Sequence, residues 1–163
     1  ENIKSVIMSD NFPWFYREGK VNPNDGLPAL THCFYDNNFV NSDKYDLLVP
    51  IMDKCRMTSI LKIKANLDYK RDDIFKTTLH SDCTPPLKGF KTGIFYLDDS
   101  NGKTYFENGQ VVDSVSNRFV QFPQEIKHGT QIQTDKNRRF LNSLINNVGS
   151  ILYYIKKKLF SWY

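Results

Sequence analysis

Polar and apolar residues alternate through the middle of this chain, and the alternation predicts strands. In SILKIKANL, residues 59–67, Leu61, Ile63, Ala65 and Leu67 fall on one face and Lys62, Lys64 and Asn66 on the other. TTLHSD (77–82), TGIFYL (92–97), KTYFE (103–107), VVDSV (111–115), RFVQF (118–122) and RRFLNSLI (138–145) follow as short strand-like segments. Turn signals separate them at TPPLKG, DDSNG, ENGQ and TDKN. Short strands at such spacing predict a sandwich, barrel or jelly roll. No internal repeat and no low-complexity segment interrupts them.

The pattern differs at both ends. IKSVIM (3–8) reads as a short strand, and Asp10 or Asn11 could cap a short helix over PWFYRE, with Pro13 near its first turn. Residues 20–30 read as a loop, and THCFY (31–35) as a strand. Leu48, Ile51, Met52 and Cys55 fall at i, i+3, i+4 and i+7, the spacing of a helix, with Ser42 or Asp43 as its cap. Pro50 sits awkwardly inside that stretch. In the tail, Val148, Ile151, Leu152, Ile155, Leu159 and Trp162 form one apolar stripe beside Lys156, Lys157 and Lys158, which predicts a terminal amphipathic helix. Such a helix could touch a membrane surface or partner, but packing on its own sheet is the preferred reading.

Composition narrows the function classes. The 163 residues suit one domain with its own core. The 14% of aromatic residues suits β-rich structure. A net charge of +4, much of it local to Arg138, Arg139 and the tail lysines, does not describe a general nucleic-acid binder. No apolar run is long enough to span a bilayer, and no charged-then-apolar leader is read in the sequence. The expectation is a soluble, unexported, cytoplasmic protein whose first residue, Glu1, follows a trimmed or missing start. Cys33, Cys55 and Cys83 are odd in number and widely spaced, which predicts neither a disulfide framework nor a structural zinc site.

The candidate chemistry lies in two histidines. His80 and Asp82 form His-Ser-Asp in a strand-like segment, where residues i and i+2 share a face. His128 follows 48 residues later, after RFVQF and its turn, within reach if the fold brings those strands together. Two imidazoles and one carboxylate on one face of a metal leave the opposite positions open, which suits non-haem Fe(II). Arg138 and Arg139 follow His128 on the next strand, where an inward arginine could clamp a distal carboxylate. Alternation lets only one of the two face inward. His32 has no acidic residue at ligand-like spacing and reads as a core or surface histidine.

Several stretches together carry a family likeness: LKIKANL (61–67), HSD (80–82), KTGIFYLDDSNGKTYFENG (91–109), SNRFVQFP (116–123), HGTQIQTDKNRRFLN (128–142) and NFPWFY (11–16). With them the chain resembles the 2-oxoglutarate- and Fe(II)-dependent oxygenases, in particular the small phage-type and prolyl-hydroxylase-like branch. The resemblance implies a mainly β (α+β) protein: a double-stranded β-helix (jelly roll, cupin-like) core at 58–146, N-terminal helical support at 1–57 packed on one sheet, and the C-terminal helix at 147–163. It implies that His80, Asp82 and His128 hold Fe(II), and that 2-oxoglutarate chelates the metal. Arg139 would pair the cosubstrate's far carboxylate, or Arg138 if the strand is shifted by one. Tyr96 would hydrogen-bond the cosubstrate, and Thr104 and Asn66 would line its pocket. It implies O₂-dependent hydroxylation of a peptide or small molecule, with release of succinate and CO₂. Phe95, Phe106 and Phe122 could wall the site, or be plain core.

Two rivals remain at this level. A non-catalytic jelly-roll module, for example in a virion, predicts no response to metal and 2-oxoglutarate. A cupin-like metalloenzyme without 2-oxoglutarate keeps the triad and has no need of Arg139.

Overall fold

The computed structural model describes residues 3–136 and, as backbone pairing, residues 138–148. Ten strands and two short helices are assigned among them: α1 Ile3–Ile7, β1 Phe15–Arg17, β2 Ala29–Asp36, β3 Phe39–Val40, α2 Val49–Lys54, β4 Met57–Tyr69, β5 Lys91–Tyr96, β6 Ser100–Phe106, β7 Val111–Ser114, β8 Phe119–Pro123, β9 His128–Gln131 and β10 Arg138–Val148. A 3-10 turn, Tyr45–Leu48, leads into α2. One sheet runs β1-β2-β4-β10-β5-β8, with β3 also paired to β2, and a smaller sheet runs β7-β6-β9. Every pairing in both sheets is antiparallel.

Both faces of the large sheet are covered, each by different partners. Ile63, Ala65 and Leu67 of β4 pack with Ile7, Met52, Phe12 and Phe34 in one buried cluster beneath the helices. Ile94, Tyr96 and Val120 pack with Phe106 and Val112 of the small sheet in a second cluster. The space between the sheets is therefore the inside of a jelly roll.

Segment 75–80 extends the small sheet beyond β9. His80 and Lys76 bridge His128 and Gln131, and the Ile132 N–H donates to the Phe75 carbonyl. Pairing is half made at Thr77: its N–H donates to the Thr130 carbonyl at 2.9 Å, but the Thr130 N–H turns to the Thr77 hydroxyl at 2.9 Å, and the Tyr105 hydroxyl donates to the Thr77 carbonyl. The strand expected over 77–82 is consequently reduced to one isolated bridge, at His80.

The N-terminal expectations reverse. Ile3–Ile7 form a helix because Ile3, Val6 and Ile7 carry helical spacing that places all three on the core; the Met8 N–H donates to the Lys4 carbonyl at 3.0 Å. Residues 15–17 of the expected helix are instead an edge strand on β2, with Phe15 paired to Thr31. Residues 1–57 thus contribute three strands to the large sheet besides the helical cover. Pro50 falls in the first turn of α2, where its missing N–H costs nothing. Neither Ser42 nor Asp43 caps the helix: Leu48 stands at the N-cap of α2 and Lys44 at that of the 3-10 turn, and Ser42 closes the preceding turn, its hydroxyl accepting the Lys44 N–H at 3.1 Å.

Two turn and end assignments change as well. The DDSNG turn shrinks, since β6 begins at Ser100. Residues 147 and 148 belong to β10, not to a helix; the rest of the expected tail helix lies outside the described residues.

Candidate metal centre

The two distant histidines are a cross-strand pair. The His80 N–H donates to the His128 carbonyl and the His128 N–H to the His80 carbonyl, each at 2.9 Å. Residues joined by such a double bond face each other across the ladder and project to the same side. Their rings lie 4.7 Å apart between centroids. His128 opens β9 rather than ending the preceding strand and turn.

Asp82 reaches the same point from the bend after His80. His80 Nε2 lies 3.9 Å from Asp82 Oδ1, and His128 Nε2 lies 3.9 Å from Oδ2. One donor atom from each of the three residues falls within 4.8 Å of the others. The carboxylate is held by the Thr92 hydroxyl, which donates to Oδ2 at 3.2 Å. His80 Nδ1 faces the Thr78 carbonyl at 3.2 Å, which favours a proton there and leaves the Nε2 lone pair for a ligand.

The donor set fits a divalent cation. At 3.9 Å the Nε2–carboxylate gaps are too long for hydrogen bonds, so direct contact does not satisfy these atoms. Burial pushes the His128 pKa down to about 4, with His80 and Lys64 adding to the effect and Asp82 opposing it. Its imidazole is neutral at pH 7, the form a metal requires. Two imidazoles, one carboxylate and no thiolate form the facial set that suits non-haem Fe(II). Phe122 lies edge-on to His128 at 4.9 Å and Phe106 packs on Phe122 at 4.8 Å, forming an apolar wall. Phe95 belongs to the opposite face, against the helix-side cluster, and is not part of that wall.

The remaining expected site residues divide. Tyr96 and Thr104 are buried between the sheets, and the Tyr96 hydroxyl donates to the Thr104 hydroxyl at 2.6 Å. Asn66 pairs with Thr31 and Leu141, on the alternation opposite to Ala65 and Leu67 and so on the inner side of β4. Register sets Arg139 across from Asp68 and Arg138 across from Tyr69; their side chains lie outside the described residues. Asp68 is buried and ion-paired to Lys20, and Tyr69 is exposed. His32 is structural: Nδ1 lies 2.7 Å from the Pro13 carbonyl and Nε2 2.8 Å from the Ser42 hydroxyl. The three cysteines are free thiols.

Sequence reasoning missed Thr92 and Lys64. Thr92 carried no motif. Lys64 stood on the polar side of the β4 alternation, which turns out to face the jelly-roll interior. Burial lowers its pKa against the opposing pull of Asp82.

No family model matches this sequence, and no curated protein is significantly similar to it. Solved structures match in fold. An oxidoreductase of the 2OG-Fe(II) oxygenase family from Burkholderia pseudomallei is 10% identical, with a TM-score of 0.58 over 82% of this chain and 72% of that one. A prolyl-4-hydroxylase from Pseudomonas putida is 12% identical, with a TM-score of 0.55 over 81% and 77%. A prolyl hydroxylase from Trichoplax adhaerens, in complex with a hypoxia inducible factor oxygen degradation domain peptide fragment, is 15% identical, with a TM-score of 0.57 over 82% and 70%. At such identities the likeness is one of fold. No helix among the described residues is long and apolar enough to cross a membrane.

Proposed function

We propose that this chain is a 2-oxoglutarate- and Fe(II)-dependent dioxygenase of the small prolyl-hydroxylase-like, phage-type branch, acting as one domain on a peptide or small molecule. The observation that carries the reading is the convergence of two cross-strand imidazoles on the two oxygens of one carboxylate. Bound iron with 2-oxoglutarate and O₂ supplies the oxidising power for hydroxylation, with succinate and CO₂ as co-products.

The chain's own residues do the rest. His80, Asp82 and His128 hold the cation from one side and leave the other side open. Thr92 and the Thr78 carbonyl fix the ligand orientations. Arg139 pairs the far carboxylate of the cosubstrate; the choice over Arg138 rests on its register with the buried Asp68. Tyr96, Thr104 and Asn66 line the cosubstrate pocket. Phe106 and Phe122 exclude water from the reacting centre.

The test is a thermal shift of the full chain with Mn(II) and 2-oxoglutarate, joined to a succinate assay with Fe(II). Wild type is stabilised by the metal, stabilised further by 2-oxoglutarate, and forms succinate; folded His80→Ala and Asp82→Ala do neither. A wild-type protein that ignores both ligands would be the non-catalytic module instead. Stabilisation by metal without any response to 2-oxoglutarate would point to a metalloenzyme of another kind.

A further inference from the structure

Lys64 is an interior cation that the proposed chemistry does not use. Its neighbours Ile63 and Ala65 are buried under the helices, so alternation turns Lys64 toward the small sheet. Through β10 it is level with Ile94, which packs in the cluster between the sheets. Thr92, which holds Asp82, lies two residues along β5, about 7 Å away along the strand. Among the described residues no hydrogen bond or ion pair takes the Lys64 ammonium. Lys62, by contrast, is paired with Asp36 at 2.7 Å.

Cys33 stands directly across from Lys64 on β2. Cys33 lines a surface cavity of about 700 Å³ with Phe15, Asp36, Phe39 and Asn41. Neither Lys64 nor a residue of the triad lines that cavity, and Lys64 is one strand in from Cys33.

A charge count indicates what the lysine needs. On the reading given above, a divalent cation is half neutralised by Asp82, since both imidazole ligands are neutral. The cosubstrate brings two negative charges, one more than the metal with Asp82 requires, and Arg139 balances the surplus. Among the described residues Lys64 then has no counter-charge of its own in a partly desolvated site, an arrangement that is costly unless an anion joins it.

We propose that Lys64 receives an anionic group of the prime substrate, so that the substrate class is a carboxylate- or phosphate-bearing molecule. The proposal rests on the oxygenase reading, and its experiment separates the two. The full chain is loaded with Mn(II) and saturating 2-oxoglutarate. Carboxyl-labelled ¹³C-acetate and inorganic phosphate are added in separate arms, and their ¹³C and ³¹P relaxation is followed. An anion seated on Lys64 lies close enough to Mn(II) to relax faster, in a saturable way, and the arm that responds names the anion class. The expected result is saturable enhancement in wild type, weakened about tenfold in Lys64→Met, restored in Lys64→Arg and unchanged in Lys62→Met. Lys64→Gln replaces the Met variant if circular dichroism shows that the latter is unfolded.

Equal enhancement in the folded Lys64→Met protein, or none with either probe in wild type, overturns the proposal. A Lys64→Met protein that binds Mn(II) but no longer binds 2-oxoglutarate by thermal shift assigns the lysine to the cosubstrate; the proposal falls and the oxygenase reading stands. A wild-type chain that binds neither Mn(II) nor 2-oxoglutarate removes the oxygenase reading and this inference with it.

Discussion

Replacing Lys20 by methionine tests how the deep end of β4 is held. Asp68 has a side chain only 3% exposed and is ion-paired with Lys20, itself 14% exposed. Its backbone carbonyl also accepts the Gln133 side-chain amide at 2.9 Å. Methionine keeps most of the apolar stem and deletes the charge, which takes the Lys20 ammonium away from a buried carboxylate. Breaking a buried pair from one side costs about 3–5 kcal/mol. With a urea m-value near 2 kcal/mol/M, that lowers the unfolding midpoint by about 1.5–2.5 M. Equilibrium unfolding of wild type, Lys20→Met, Asp68→Asn and the double variant gives a cycle that isolates the pair. The expected coupling is about 2 kcal/mol or more, because the single Lys20 variant leaves a charge that the double variant does not. A midpoint drop under about 0.5 M with unchanged m would equate the pair with a screened surface bridge and refute the argument. Since Arg139 lies across from Asp68, the same variant should also raise the 2-oxoglutarate concentration needed for half-saturation.

Three other outcomes follow from the structure. In the metal-free protein, the His128 contribution to stability is constant above pH about 6.5, falls as the pH drops toward 4, and levels off below; unfolded His128 takes up a proton in that window and the folded residue, with its pKa of about 4, does not. The loss is at most about 3 kcal/mol, and thermal melts of chelator-treated protein at pH 7, 5.5 and 4 check it, His128→Asn giving a flatter profile. Gly129→Ala puts a methyl group 2.5 Å from the Tyr105 ring, which must swing off the Thr77 carbonyl. A cost of about 1–3 kcal/mol and weaker Mn(II) binding through the adjacent His128 are expected; an unchanged metal titration would contradict the latter. Asp25→Ala removes the acceptor of the Lys20, Val21, Asn22 and Leu27 backbone N–H groups, so loop 20–27 should become the first site of limited proteolysis. Burial works against ionisation of this carboxyl, but the four donors hold it below its usual range, so its contribution to stability is lost as the pH falls below about 4.

The sequence by itself determined the class of fold, because alternation at period two survives wherever a strand has one apolar face. Residues 59–67 and 92–97 were legible on that ground, and so was the turn chemistry at ENGQ. His80 and Asp82 were visible as a pair because two residues of spacing suffices to bring them near one another. Short segments were not decided by pattern: over six residues Ile3, Val6 and Ile7 fit a helix as well as a strand, and only the cluster with Phe34 and Ile63 selected the helix. Aromatic Phe15 and Tyr16 likewise became an edge strand because β2 offered a free edge. Tertiary structure alone decided that His128 stands opposite His80, since a register across 47 intervening residues is set by which strands pair. It also decided that the polar side of β4 is an interior, because a residue's face is known from the sequence, but what covers that face depends on the other sheet.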